Sequence, residues 1–248
     1  MTEVRTSATR GCGGAGTMAV MRLLTRAGPP RDVLHAMRDR DVWAFDWDGT
    51  LIDSIGRTLA TYHQIFAELE VPFDEATFRR HYAPDWRRMY RSMGIAADLW
   101  PRIDRRWVEL FETEVSALVP GAAEALEWLR ARGHRLALVT AGHRERIELE
   151  LRATGLEGWF ETCVFGNEVP RQKPDPAPLL LTSRYLGVPA DEIVLVADAG
   201  DDMRMAKRAA ALPIGVLTGA AHRKGLRAAG ARWVARDVVA AIAPLRAA

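Results

Sequence analysis

Residues 42–50 read Val-Trp-Ala-Phe-Asp-Trp-Asp-Gly-Thr, a short apolar run that ends in two aspartates one residue apart. Such a run is typical of a buried strand in a parallel sheet, and Asp46 then stands at the carboxyl end, where open α/β sheets bind ligands. Because side chains alternate between the two faces of a strand, those of Asp46 and Asp48 are expected to point to the same side. Neighbouring carboxylates are costly unless a cation separates them or one is protonated. The pair is therefore a candidate for metal binding, nucleophilic attack or acid/base catalysis, and the alternative is a solvated Asp-Gly turn.

Only helical patterns follow this strand up to about residue 120. The first predicted helix carries its apolar residues three and four apart, at Ile55, Leu59, Tyr62, Phe66 and Leu69. Ser54 is expected to cap it and Asp74 to cap a second short helix. Asp85 opens a third helix, and a fourth is expected from about 97 to 118. Because connections in α/β folds are normally short, this block indicates an inserted helical domain.

Strands and helices alternate from residue 120 onward. The predicted strands are 135–140, 162–165, 193–198 and 214–217, separated by helices at 121–131, up to 155, at 176–186 and at 201–211, with a last helix, strand and helix in 222–247. Alternation at this spacing predicts a parallel sheet with helices on both faces. The predicted fold is therefore α/β: a three-layer, doubly wound, Rossmann-like core with an inserted α-helical cap domain.

These patterns divide the chain into three parts. Residues 1–30 are rich in Gly and Arg and end in Gly28-Pro29-Pro30, which is typical of a flexible leader. We expect the α/β core to comprise residues 31–53 and 120–248, and the cap to comprise residues 54–119.

Composition limits the classes of partner and location. With 48% hydrophobic and 27% charged residues, the 248-residue chain is typical of a globular protein. A net charge of +2 gives no reason to expect a nucleic-acid partner, and no apolar run approaches the ~20 residues of a membrane helix. Cys12 in the leader and Cys163 in a predicted strand do not suggest a disulfide framework. We expect a cytoplasmic monomer or homodimer.

Polar residues follow four of the predicted strands. They are Asp46 and Asp48, then Thr140, then Lys173, and finally Asp198 with Asp201 and Asp202 close behind. Each has an ordinary explanation: a strand-ending threonine, a loop lysine, or acids at a helix start, where the helix dipole favours them. Their order and their shared position at the carboxyl ends of strands favour a single site.

This set of motifs resembles the haloacid dehalogenase superfamily of phosphohydrolases, from about Val42 to the C-terminus. The insertion resembles that of the subgroup with an α-helical cap, which includes phosphoglycolate phosphatases and β-phosphoglucomutases. Dehalogenases and phosphonate-cleaving members carry other residues where this chain has Asp48, which favours phosphate-ester chemistry. Ala141 stands where many members have Asn, so a polar contact near the nucleophile is missing.

The resemblance implies roles for the acidic residues. Asp46 would be the nucleophile that forms an aspartyl-phosphate, and Asp48 the general acid and then the base. Neighbouring acids are expected to favour the protonated form of Asp48. Mg²⁺ would be held by Asp46, the backbone carbonyl of Asp48 and Asp198, with Asp202 as a further ligand or a supporting residue. Asp201 is a weaker candidate.

The resemblance also implies a phosphate-binding set. Thr140, the backbone near Ala141, and Lys173 would hold the phosphoryl oxygens, with His143 and Arg171 as further candidates for contact with the substrate or cap. In the cap, candidate substrate contacts or solvated surface residues are Arg79, Arg80, His81, Tyr82, Arg87 and Arg88. The cap is expected to set specificity by closing over the site.

Three functions remain open at this point. The first is a Mg²⁺-dependent phosphatase of a small phosphorylated metabolite, of the phosphoglycolate or sugar phosphate type. The second is a phosphosugar mutase that shares every core residue and differs in the cap. The third is a non-catalytic binding protein on the same fold, against which the complete polar set argues.

Overall fold

The structure is a computed structural model that describes residues 28–83, 85–111 and 114–246. Most of the predicted leader, including Cys12, lies outside the described residues. The chain enters the core through α1 (Arg31–Arg38), and β1 (Val42–Phe45) follows it. In the described part of the chain, no helix is long and apolar enough to span a membrane.

Four helices inserted after β1 form the cap. They are α2 (Ile55–Glu68), α3 (Glu75–His81), α4 (Trp86–Ser92) and α5 (Trp100–Phe111), with a 3₁₀ turn at Ala97–Leu99. As predicted, Asp74 caps α3 by accepting from the Thr77 N–H, and Asp85 caps α4. The cap has its own apolar core, in which the rings of Tyr62 and Phe66 from α2 stack 5.6 Å apart.

The α/β alternation then completes the core. Its elements are α6 (Ala122–Arg130), β2 (Arg135–Val139), α7 (Arg144–Ala153), β3 (Thr162–Val164), α8 (Ala177–Leu186), β4 (Ile193–Ala197), α9 (Gly200–Arg208), β5 (Leu212–Gly215), α10 (Arg223–Ala229), β6 (Trp233–Val234) and α11 (Val238–Arg246). Short 3₁₀ turns lie at Gly166–Glu168 and Ala190–Glu192. The predicted fold class is confirmed.

The six strands of the described residues are all parallel, in the order β3-β2-β1-β4-β5-β6, so β1 lies in the centre of the sheet. Its side chains alternate between two buried layers. Trp43 and Phe45 pack in one apolar cluster with α1, α6 and α11, whereas Val42 and Ala44 pack in the other with α8 and α9. The central position explains why all four residues of β1 are apolar.

The two chain segments that connect core and cap run side by side. The Asp53 N–H donates to the Ala117 carbonyl at 2.9 Å, and the Val119 N–H donates to the Leu51 carbonyl at 2.8 Å. We call this hydrogen-bonded pair, residues 51–53 and 117–119, the stem. We propose the stem as the boundary between the core and a cap of residues 54–119.

Three local predictions were wrong. The last cap helix is Trp100–Phe111 rather than a helix that reaches about residue 118, and Val115, which lies inside the predicted range, is 45% exposed. Ser54 occupies the N-cap position of α2, but its side chain makes no capping hydrogen bond. Strand β5 is Leu212–Gly215 rather than 214–217, and Pro213 is its second residue.

Candidate functional site

The central aspartates lie at the carboxyl ends of two paired strands. Asp46 directly follows β1 and Asp198 directly follows β4, and the Asp46 N–H donates to the Val196 carbonyl at 3.0 Å. Both side chains are buried, with 6% of Asp46 and 1% of Asp198 exposed. The sheet therefore holds two carboxylates in a place where water stabilises them poorly.

Lys173 is the cation of this cluster. Its Nζ donates to Asp46 Oδ1 at 2.7 Å and to the Val139 carbonyl at 2.9 Å, and it forms an ion pair with Asp202 Oδ1 at 2.5 Å. Burial alone would lower the pKa of Lys173, but Asp202 and Asp46 outweigh burial and raise it above its usual value. The lysine is therefore held in its charged form between two carboxylates.

Asp198 has a buried carboxylate oxygen without a hydrogen-bond partner. Its Oδ1 accepts from the Thr50 hydroxyl at 3.3 Å, whereas its Oδ2 has no partner among the described residues. A Cβ at Gly49 would lie 2.8 Å from this Oδ2, and one at Gly219 only 1.6 Å from it. The two glycines therefore leave room around an unpaired oxygen, which is costly to bury without a partner or a cation.

These features fit a magnesium site. Burial, together with the charges of Asp46 and Asp202, raises the pKa of Asp198 well above its usual value, because the negative charge of the neighbouring carboxylates exceeds the positive charge of Lys173. A divalent cation would relieve this excess of negative charge. No group of three or more His, Cys, Asp or Glu side chains in the described ranges is arranged to bind a metal alone. Mg²⁺ suits such a site because it keeps several waters and takes few protein ligands.

The expected phosphate-binding residues after β2 lie at the same edge. Thr140 is 3% exposed, and its hydroxyl accepts from the Gly142 N–H at 3.0 Å. Ala141 and Gly142 line the cleft described below, as does Asp46.

Asp48 has a partner that sequence reasoning missed. Arg146 on α7 binds it with both terminal nitrogens, Nη2 to Oδ2 at 2.6 Å and Nη1 to Oδ1 at 3.2 Å. Burial alone would raise the pKa of Asp48, but Arg146 outweighs it, and the pKa lies below its usual value. The expectation that neighbouring acids favour the protonated form of Asp48 was therefore wrong, because a guanidinium is closer.

Arg146 is itself held by Glu150, and Glu150 is held in turn by Trp47. Its Nη1 donates to Glu150 Oε2 at 3.0 Å, and Glu150 Oε2 also accepts from the Trp47 indole N–H at 2.6 Å. In the sequence, Arg146 and Glu150 form an ordinary i, i+4 pair on a helix that carries other such pairs. One feature of the sequence does point to this role: Arg146 and Glu150 each precede a residue of the buried face of α7, Ile147 and Leu151.

The cluster opens into a cleft of roughly 720 Å³ between the core and the cap. On the core side the cleft is lined by Asp46, Asp48, Thr140, His143, Arg146 and Asp198, and on the cap side by Tyr82, Trp86, Arg87, Tyr90, Asp104 and Trp107, among others. The His143 ring lies 5.6 Å from that of Trp86, so it contacts the cap. Arg171 does not line the cleft; its side chain is 73% exposed and pairs with Asp175.

The other cap candidates divide into two groups. Tyr82 lines the cleft. Burial, followed by the charges of Asp198 and Asp48, raises the pKa of its hydroxyl well above the usual value. Arg88 instead leaves the cleft and binds Asp201 with two contacts of 2.7 Å. Asp201 therefore joins cap to core and is not free to act as a metal ligand.

Comparison with known proteins agrees with this geometry. The sequence model of the family described as haloacid dehalogenase-like hydrolase matches residues 43–216, from β1 to just beyond β5. The chain belongs to the haloacid dehalogenase-like hydrolases. The resemblance inferred from the motifs is thereby confirmed.

Relatives with similar sequences include phosphoglycolate phosphatases. The one from Pseudomonas putida is 27% identical over 78% of this chain and 75% of that relative. The one from Vibrio parahaemolyticus is 28% identical over 80% of this chain and 92% of that relative. The solved structure of a hydrolase from Pseudomonas syringae is 26% identical, with a TM-score of 0.76, and covers 84% of this chain and 99% of that one.

Proposed function

We propose that the protein is a Mg²⁺-dependent phosphomonoester hydrolase that works through an aspartyl-phosphate on Asp46. The observation that carries this proposal is the buried contact between Asp46 and Lys173, beside the unpaired oxygen of Asp198 and open to the cleft. A carboxylate held this way has one oxygen fixed by the lysine and the other available for attack on phosphorus. The phosphoglycolate phosphatases among its relatives support the same reaction class.

The residues of the chain divide the work as follows. Asp46 attacks phosphorus, and the Lys173 ammonium orients the attacking carboxylate and balances charge beside it. Asp48 gives a proton to the leaving oxygen from its protonated form, and the ionised form, which Arg146 favours, then takes a proton from the water that hydrolyses the aspartyl-phosphate. Thr140 and the backbone at Ala141 and Gly142 border the space for the phosphoryl oxygens.

Asp46, Asp198 and the backbone carbonyl of Asp48 would hold Mg²⁺, with Asp202 as support. Bound there, Mg²⁺ supplies charge neutralisation for the phosphoryl oxygens. Asp202 is paired with Lys173 and fully buried, which suits a residue that holds the lysine and the local charge balance.

We propose a small organic phosphate, of the phosphoglycolate or sugar phosphate type, as the substrate. Arg87 supports a group that carries negative charge or hydroxyls, because it lines the cap side of the cleft and forms no ion pair with the described residues. The aromatic rings of Tyr82, Trp86 and Trp107 supply flat surfaces beside it.

A screen of phosphate release across metabolite phosphates with Mg²⁺ tests the proposal. We expect turnover of at least one compound, and we expect Asp46→Asn to abolish it while the melting temperature stays close to wild type. Asp41→Asn is the matched control, since Asp41 is exposed at the opposite end of β1 and should leave activity unchanged. Interconversion of sugar phosphate isomers without phosphate release would replace the hydrolase by a mutase, and full activity of Asp46→Asn would refute the nucleophile.

A further inference from the structure

A closed ring of contacts joins the Asp46–Asp48 turn to helix α7. The Trp47 N–H donates to Glu150, Glu150 accepts from Arg146, and Arg146 binds Asp48, the residue next to Trp47. The ring is nearly closed to solvent: 13% of the Arg146 side chain and 5% of the Glu150 side chain are exposed. Asp48, with 23% of its side chain exposed, is the member of the ring that is most open to the cleft.

Helix α7 carries a second arginine–glutamate pair that serves as an internal comparison. Arg144 and Glu148 have the same i, i+4 spacing and a contact of 2.8 Å, but their side chains are 44% and 41% exposed. An exposed pair of this kind contributes little and needs no special explanation. A buried pair carries a large desolvation penalty, so its presence calls for a benefit other than stability.

The benefit lies in the geometry at Asp48. A guanidinium that binds both oxygens of a carboxylate fixes its position and its plane, which a lysine does not do. Arg146 reaches Asp48 with Nη1 and Nη2, and the shared Nη1 contact to Glu150 fixes the guanidinium in turn. Trp47 then ties Glu150 back to the strand end that carries Asp48.

We propose that Arg146 is a positioning residue for Asp48, braced by Glu150 and Trp47. It sets the place from which protonated Asp48 transfers its proton to the leaving oxygen as the P–O bond breaks, and from which ionised Asp48 then accepts a proton from water as the aspartyl-phosphate is hydrolysed. This inference rests on the proposed function. In this role Arg146 does not contact the phosphate, and its positive charge does not act directly on the reacting atoms.

The test compares kcat/KM for two substrates that differ in their need for a proton. A primary alkyl phosphate needs protonation of its leaving oxygen, whereas 4-nitrophenyl phosphate does not. Misplacement of a catalytic group by about 1 Å can reduce a rate about 10²-fold, so we expect Arg146→Gln to show a loss of that size on the alkyl phosphate. On 4-nitrophenyl phosphate the loss should be at least about tenfold smaller.

A double-mutant cycle separates positioning from a direct role. Because Arg146 acts through Asp48, adding Arg146→Gln to Asp48→Asn should change kcat/KM by no more than about threefold. Arg144→Gln, the matched exposed arginine, should leave both substrates unaffected. Should Arg146→Gln fold poorly, Glu150→Gln removes the charge that braces Arg146 at nearly constant side-chain size and should show the same substrate pattern at smaller size.

Several outcomes would overturn the inference. Equal losses on both substrates, additive losses in the cycle, or wild-type kinetics of Arg146→Gln would each refute positioning through Asp48. If the wild-type protein releases phosphate and Asp46→Asn does not, these results would still leave the proposed hydrolase function standing. Absence of Asp46-dependent phosphate release in the wild type would instead refute both.

Discussion

Replacement of Lys173 by methionine is expected to destabilise the protein strongly. Its Nζ contacts Asp46 at 2.7 Å, Asp202 at 2.5 Å and the Val139 carbonyl at 2.9 Å, with 3% of the residue exposed. Removing one partner of a buried ion pair costs about 3–5 kcal/mol because the remaining charge is uncompensated. For a chain of this length each kcal/mol corresponds to a shift of about 2–4 °C, so the melting temperature should fall by about 6–20 °C.

Thermal unfolding followed by circular dichroism, without added Mg²⁺, measures this shift. Lys224→Met is the matched control, because Lys224 is exposed and has no ion pair among the described residues. Adding Asp202→Asn to Lys173→Met should recover part of the lost stability, since the second change removes one of the uncompensated charges. A fall no larger than that of Lys224→Met, or a double variant less stable than Lys173→Met, would refute the reasoning.

Two further predictions follow from close packing and burial. Gly219→Ala would place a Cβ 1.6 Å from Asp198 Oδ2 and should therefore abolish the rise in melting temperature that Mg²⁺ causes. Gly225→Ala, whose new Cβ would have its nearest neighbour 3.5 Å away, should keep this rise. An unchanged response of Gly219→Ala to Mg²⁺ would contradict this packing. Burial raises the pKa of the Cys163 thiol to about 11, so in a Cys12→Ser background iodoacetamide at pH 8 should label the folded protein about a hundredfold more slowly than the unfolded chain. Comparable rates would show that the thiol is not protected.

The strands of the sheet could be predicted because each carries a buried apolar run. β1 and β4 contain no polar residue, and their ends are marked by Asp46 and Asp198. The end of α5 could not be predicted, because the apolar spacing continues to Val115, whereas the helix is Trp100–Phe111 and residues 114–117 are not helical. Periodicity indicates a helical face but does not indicate where tertiary contacts stop the helix.

The site was predictable where one residue type stands out, and not where it is common. Lys173 is one of three lysines in the chain, so its position after β3 was conspicuous. Arg146 is one of many arginines, and its pairing with Glu150 has the same sequence spacing as the exposed pair of Arg144 and Glu148. The difference between the two pairs is burial against the Asp48 turn, a property of the folded chain.

The same limit applies to the environment of Asp48. Counting nearby acids in the sequence favoured a protonated carboxyl, yet the residue closest in space is a guanidinium 98 positions away. Asp201 shows the opposite case, since its place next to Asp202 suggested the metal site and the structure pairs it with Arg88 of the cap. Sequence neighbours of a charged group therefore predict its charge state poorly.

The hydrogen-bonded stem has a consequence for how the protein can change over evolution. Its two segments are held side by side at Asp53 and Ala117. The ends of the insertion are therefore close together, and the distance between them does not depend on how long the insertion is. Lengthening an insertion whose ends are fixed adds little closure entropy. The cap can therefore lengthen, shorten or be exchanged, and with it the substrate preference, while the carboxylates at the strand ends keep their geometry.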